Sequence, residues 1–317
     1  MSSYRDRLPQ LRGSLFLTDG GLETTLIFHE GLSLPYFASF SLLSTQEGTQ
    51  VLRRYFERYA RIAREQEVGL VLETPTWRAN PDWAAKLGYD SQALAGVQQR
   101  SVELLLDIRE GFETGRTKIV ISGNLGPRGD GYSPSNRMSP VEAQAYHGPQ
   151  IEEFAQTEAD MVAAFTMNYT EEAIGIALAA KAAGMPVAIS FTTETDGRLP
   201  AGESLDQAIN RTDDATDGYP AYYMINCAHP THLKGVAQEG AWRDRIRGLR
   251  ANASERSHAE LDESTDLDAG NPEELACQYR KLQGQFRRLS VVGGCCGTDH
   301  RHVEAIGRAL TAVSSEK

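Results

Sequence analysis

With 317 residues, 40% of them hydrophobic, and a formal net charge of −11, the chain is long enough to bury a large core behind an acidic surface. That balance argues against nucleic acid or an anionic membrane surface as the main partner, and it tolerates a cationic small molecule. No apolar run approaches the roughly 18 residues of a membrane span. Residues 1–10 lack the apolar stretch of a secretory signal, and four sparse cysteines suit a reducing cytoplasm.

Short apolar runs then alternate with amphipathic stretches. Residues 14–18 read as a first strand ending at Asp19-Gly20-Gly21. Helical spacing over 45–67 leads to a strand at 69–74, and 91–113 leads to one at 118–122. A turn-rich loop follows over 123–134. Helices at 139–158 and 171–183 precede strands at 161–166 and 187–192. Residues 204–213 lead to a strand at 221–226, which Cys227 closes. A helix over 231–239 precedes 245–250, a strand weakened by Arg245, Arg247 and Arg250. Residues 254–268 read as an acidic loop, 272–282 as a helix, 289–292 as the last strand and 299–313 as the closing helix.

Continuous apolar strands alternating with helices predict a parallel sheet covered on both faces. About eight such units over this length predict a (β/α)8 TIM barrel, with 1–317 as a single domain. A doubly wound open sheet is the alternative.

Active sites of such barrels lie at the C-terminal ends of the strands. Asp19, Glu73, Asn124, Thr166, Thr192, Cys227, Asn252, Cys295 and Cys296 fall there. Cys227, Cys295 and Cys296 can meet at one rim and hold a zinc ion with one position open, the arrangement of a catalytic zinc. Gly293, Gly294 and Gly297 let the backbone around the pair turn sharply. Asn226 can hydrogen-bond a ligand or brace the metal shell. The alternatives are core packing for Cys227, and core packing or a vicinal disulfide for Cys295 and Cys296. A fourth ligand would close the site. Cys277 belongs to a helical pattern and reads as a buried packing residue, His300 and His302 read as solvated or capping, and His229 can stabilise the turn at Pro230. A closed structural zinc site and a redox dithiol are the competing classes. Aromatics after the strands, Tyr36, Phe37, Trp77 and Tyr132, are candidates for facing a methylated cation.

The segments Thr18-Asp19-Gly20-Gly21-Leu22-Glu23-Thr24, Asn226-Cys227-Ala228-His229-Pro230 and Gly293-Gly294-Cys295-Cys296-Gly297-Thr298 resemble the homocysteine S-methyltransferase family, and the similarity covers nearly the whole chain. The resemblance implies a (β/α)8 barrel with Zn2+ on Cys227, Cys295 and Cys296. It implies methyl transfer to the thiol of homocysteine from a small-molecule donor, S-methylmethionine or S-adenosylmethionine first, with methionine as product. It implies binding of the amino acid at Asp19, Gly20, Gly21 and Leu22; the residues themselves add Asn226 and Thr166 as substrate-binding candidates and Phe37, Trp77 and Tyr132 as a candidate donor pocket. The chain departs from the family at Phe165. There the family commonly has a glutamate that receives the substrate's amino group, which points to a different thiol acceptor as the alternative. Glu73 can supply a replacement charge.

Overall fold

The structure, a computed structural model, describes residues 2–235, 240–264 and 266–312. Eight strands build its centre: β1 (Phe16–Leu17), β2 (Gly69–Glu73), β3 (Ile119–Leu125), β4 (Met161–Met167), β5 (Val187–Thr192), β6 (Tyr222–Asn226), β7 (Ile246–Ala251) and β8 (Val291–Gly294). Each pairs in parallel with the next, and β8 pairs with β1, Val291 opposite Phe16. That last pairing closes the barrel and rules out the open sheet.

The strands read as unbroken apolar runs because both faces are buried. Phe16, Val71, Val120, Met161, Phe165 and Tyr222 belong to the cluster that fills the barrel. Leu70, Leu72, Ile121, Val162, Ile189 and Ile225 pack outward with the helices.

Among the described residues ten α-helices surround the strands. A single turn, α1 (Leu22–Thr24), runs into a π-helical turn at Thr25–His29. Then come α2 (Gln46–Glu65), α3 (Pro81–Lys86), α4 (Ser91–Phe112), α5 (Pro140–Gln156), α6 (Thr170–Ala183), α7 (Leu205–Thr216), α8 (His258–Asp262), α9 (Pro272–Gln283) and α10 (His300–Thr311). Most begin where a side chain satisfies the free amides of the first turn. Thr45, Asn80, Asp90 and Asn271 cap α2, α3, α4 and α9. Ser139 and Glu142 form a reciprocal capping box on α5.

The structure corrects four details of the expected layout. The loop expected at 123–134 starts later, because Gly123, Asn124 and Leu125 still pair with β4. The loop expected at 254–268 contains α8, started by the Ser257–Glu260 capping box. The helix expected at 231–239 is a 3-10 helix, Pro230–Gly235, with 236–239 outside the described residues. The short helix α3 was not anticipated; Pro81 at its first turn and Asn80 as cap were its signal. Among the described residues no helix is long and apolar enough to cross a membrane.

Candidate metal centre

The three cysteines converge at the C-terminal mouth. Cys227 directly follows β6, and its amide donates to the Arg250 carbonyl, 3.1 Å. Cys295 directly follows β8, its amide donating to the Ala251 carbonyl, 2.8 Å. Asn252, just past β7, ties the two segments together. Its Nδ2 donates to the Cys227 carbonyl at 3.1 Å, and its Oδ1 accepts the Cys296 amide at 3.1 Å. Gly297 completes the turn at φ +78°, where a Cβ would also meet the Asp268 carbonyl at 2.7 Å.

The sulfur atoms of Cys227, Cys295 and Cys296 all lie within 4.8 Å of one another, and they form the one such cluster of metal-binding side chains among the described residues. Tetrahedral zinc with bonds of about 2.3 Å needs sulfurs about 3.8 Å apart. The donor set therefore fits zinc once all three are thiolates. In the structure Cys227 and Cys295 are paired as a disulfide, Cα atoms 5.5 Å apart. The bond joins two strands and not the adjacent pair, so the vicinal alternative fails. Burial falls from Cys227 through Cys295 to the exposed Cys296, so one side of the cluster opens to the cavity.

Asn226 braces this corner. Its Nδ2 donates to Cys227 Sγ at 3.1 Å and to Thr166 Oγ1 at 3.0 Å. Its Oδ1 accepts the Thr166 amide at 2.9 Å and the Ser190 hydroxyl at 2.6 Å. Thr166 and Cys227 both hold left-handed backbone, φ 63° and 53°. Such strain on residues with side chains persists where surrounding bonds over-determine it, and it clusters at functional sites.

A cavity of about 110 Å³ adjoins the cysteines. It is lined by Asp19, Gly20, Gly21, Leu22, Glu73, Trp77, Tyr132, Phe165, Thr166, Asn226 and Arg250 as well as the triad. Arg250 is the residue that sequence reasoning overlooked. It projects from β7 into the barrel mouth, where Nη2 donates to Asp19 Oδ1 at 2.5 Å and Nε to the Gly294 carbonyl at 3.0 Å. The other Asp19 oxygen accepts from the Tyr55 hydroxyl at 3.0 Å. Burial lifts the Asp19 carboxyl above its ordinary range, opposed by Arg250 and Tyr55. Glu73, at the end of β2, is 3% exposed, and burial pushes its carboxyl up to about 8. The Arg250 guanidinium also sits over the Phe165 ring, 5.0 Å from its centre.

The remaining expectations divide. Tyr132 reaches the centre, its hydroxyl 3.9 Å from Cys296 Sγ, and stacks on His258 at 4.0 Å. Trp77 is faced by the Arg78 guanidinium at 4.1 Å. Phe37 does not line the cavity; it stands 55% exposed on a 3-10 turn. Tyr36 instead packs on Trp83, ring centres 5.9 Å apart. Cys277 is exposed on α9, not buried, because it falls beside the Leu275–Tyr279–Leu282 stripe that faces the barrel. His302 is fully buried and not solvated; its Nδ1 accepts the Asp299 amide at 3.1 Å, closing a capping box. His229 Nδ1 accepts the Thr231 amide at 3.3 Å, which stabilises the turn at Pro230.

A family model described as homocysteine S-methyltransferase matches residues 16–310, from β1 to α10. The chain belongs to the homocysteine S-methyltransferase family. It is accordingly an enzyme of the homocysteine methyltransferase kind. Among solved structures it is similar to the homocysteine methyltransferase MmuM from Escherichia coli. The metallated form is 19% identical with a TM-score of 0.72, covering 93% of this chain and 96% of that one. The oxidized form is 20% identical with a TM-score of 0.73, covering 96% and 99%. Likeness at that identity establishes a shared barrel.

Proposed function

We propose that this chain, over 1–317 as one unit, is a zinc-dependent S-methyltransferase that moves a methyl group from a sulfonium or ammonium donor to the thiol of homocysteine, giving methionine. The observation that carries the reading is the convergence of three sulfurs, within 4.8 Å of one another, on an open cavity in a member of this family. Cys227, Cys295 and Cys296 would hold the metal, and the substrate thiol would take the fourth position. Zinc bound there would lower the pKa of the incoming thiol and keep it as a nucleophile at neutral pH.

The protein's own part is placement. Asn226 and Asn252 fix the cysteine segments through the bonds described above, so the sulfurs need little reorganisation. Gly20, Gly21 and Leu22 offer backbone beside the cavity, while Asp19 acts through Arg250, which it holds at the mouth. Thr166 and Asn226 line the same cavity. Trp77 and Tyr132 also line it, with the Tyr132 hydroxyl beside Cys296, and their rings would face a methylated cation as it approaches the substrate thiol in line. Phe37 lies outside the lining and would join only through movement of its turn. Attack on a cationic methyl donor cancels charge, so no acid is required for a neutral leaving group. S-methylmethionine or S-adenosylmethionine is the preferred donor.

A metallated and an oxidized form are both known for the E. coli relative. The same duality suits this triad, whose disulfide must be reduced before three thiolates can bind metal, and a reducing cytoplasm would provide that. A second reading keeps the chemistry and changes the thiol acceptor, because Phe165 stands where the family's amino-binding glutamate is expected. The test is metal analysis of reduced, purified protein coupled to a donor screen, with mass spectrometry of the methylated product. Zinc-loaded protein that methylates no thiol from any sulfonium or betaine donor would overturn the proposal.

A further inference from the structure

We propose that Glu73 is the carboxylate that receives the ammonium group of the acceptor, so that the substrate is an α-amino thiol bound as a zwitterion between Glu73 and Arg250. The inference rests on the methyl-transfer reading above and deepens it.

The argument is one of elimination inside the cavity. Among the described residues its lining contains three carboxylates, Asp19, Glu23 and Glu73. Asp19 has both oxygens occupied, one by Arg250 and one by Tyr55. Glu23 accepts from Ser39 at 3.0 Å through Oε1, and Ser39 in turn bonds the Pro75 carbonyl at 3.3 Å. Glu73 differs: its Oε2 is buried with no hydrogen-bond partner among the described residues. A buried polar atom without a partner is costly, and one that faces a cavity is explained by a ligand that supplies the missing donor.

Phe165 cannot take that part. A cation–π contact would need a free ring face, and Arg250 already lies over the ring at 5.0 Å. Arg250 supplies the complementary half. Nε and Nη2 are used by Gly294, Asp19 and Gly20, while Nη1 has no acceptor among the described residues. Glu73 and Arg250 interact through space yet form no ion pair within 4.0 Å, which leaves room for a zwitterion to bridge them. An empty Glu73 held neutral by burial would ionise as the ammonium arrives, releasing its proton to solvent. The amino-binding charge has thus moved from β4 to β2, two strands round the barrel.

Calorimetric binding of L-homocysteine and of 4-mercaptobutanoate, its analogue without the amine, to reduced, zinc-loaded protein tests this. In wild type the amine should favour L-homocysteine. In Glu73→Gln, which keeps the shape of the neutral acid, the ratio of the two affinities should fall by roughly 30- to 100-fold. The proton released by Glu73 should vanish from homocysteine binding measured in buffers of different ionisation enthalpy. Phe165→Leu, a second variant, should leave the ratio within about threefold, because the ring is not the amine's partner. An unchanged ratio in Glu73→Gln, or a loss as large in Phe165→Leu, overturns the assignment and leaves zinc-dependent thiol binding standing. Failure of both thiols to bind wild type would overturn the methyl-transfer reading as well.

Discussion

Every polar capacity of the Asn226 side chain is used: two donors go to Cys227 Sγ and Thr166 Oγ1, and one oxygen accepts from the Thr166 amide and Ser190. Asn226→Asp removes both donors and sets a carboxylate beside a sulfur that must carry negative charge. We expect a stability loss of about 2–4 kcal/mol by urea unfolding. Zinc affinity, read by chelator competition, should fall by about 10- to 100-fold. Unaltered zinc affinity would show that Asn226 does not brace the centre. Glu73 gives a pH signature at the same scale. Its folded carboxyl is raised from 4.5 to about 8, so the native state binds a proton that the unfolded chain has lost. Stability from this group is therefore greatest below the unfolded value and is lost as pH rises through about 8. Asp19, Arg250 and Tyr222 are the charged or titratable groups that act on it. Glu73→Gln cannot ionise. Its thermal midpoint should match wild type near pH 5 and exceed it near pH 8.5; parallel curves would refute the raised carboxyl.

At the scale of elements, the site depends on how closely the turn after β1 approaches the turn after β8. A Cβ on Gly21 would fall 2.7 Å from the Cys295 carbonyl and 2.8 Å from Thr24 Oγ1. Gly21→Ala must therefore push the cysteine turn outward. We expect about 1–3 kcal/mol lost in unfolding experiments, with zinc content falling below one per chain. Full zinc occupancy would mean that the turn yields without disturbing the sulfurs. The strands themselves were legible because parallel strands covered on both faces are apolar throughout, and the cysteines stood out by glycine spacing and resemblance. β7 was the weak strand because three arginines masked its pattern. Each proves to have a reason outside its own neighbourhood: Arg245 pairs with Asp213 on α7, Arg247 reaches the Leu11 carbonyl, and Arg250 enters the cavity to meet Asp19, 231 residues away in sequence. No local pattern encodes such a partner. Cys277 was readable and was misread. The stripe of Leu275, Tyr279 and Leu282 already excluded position 277 from the buried face.

Across the whole molecule, the cysteines join the ends of β6 and β8 over the intervening β7, closing 68 residues of chain. Zinc and the disulfide would fasten the same two strands, and they exclude each other because Cys227 and Cys295 can be thiolates for the metal or partners in the bond. Reduced protein should bind one zinc, and at a free concentration about 1,000 times Kd the gain in stability should approach 4 kcal/mol. Oxidised protein should bind none until a reductant restores it. Cys277→Ala, on the exposed face of α9, should keep both the metal and the thermal shift. Cys296→Ala leaves Cys227 and Cys295 in place and should lose them. Metal analysis with melting curves in reducing and oxidising buffer distinguishes these cases. Zinc bound equally well by oxidised protein, or retained by Cys296→Ala, would mean that the ion sits elsewhere. Zinc lost in Cys277→Ala would mean that the site is closed by a fourth cysteine, which would leave no position for an incoming thiol.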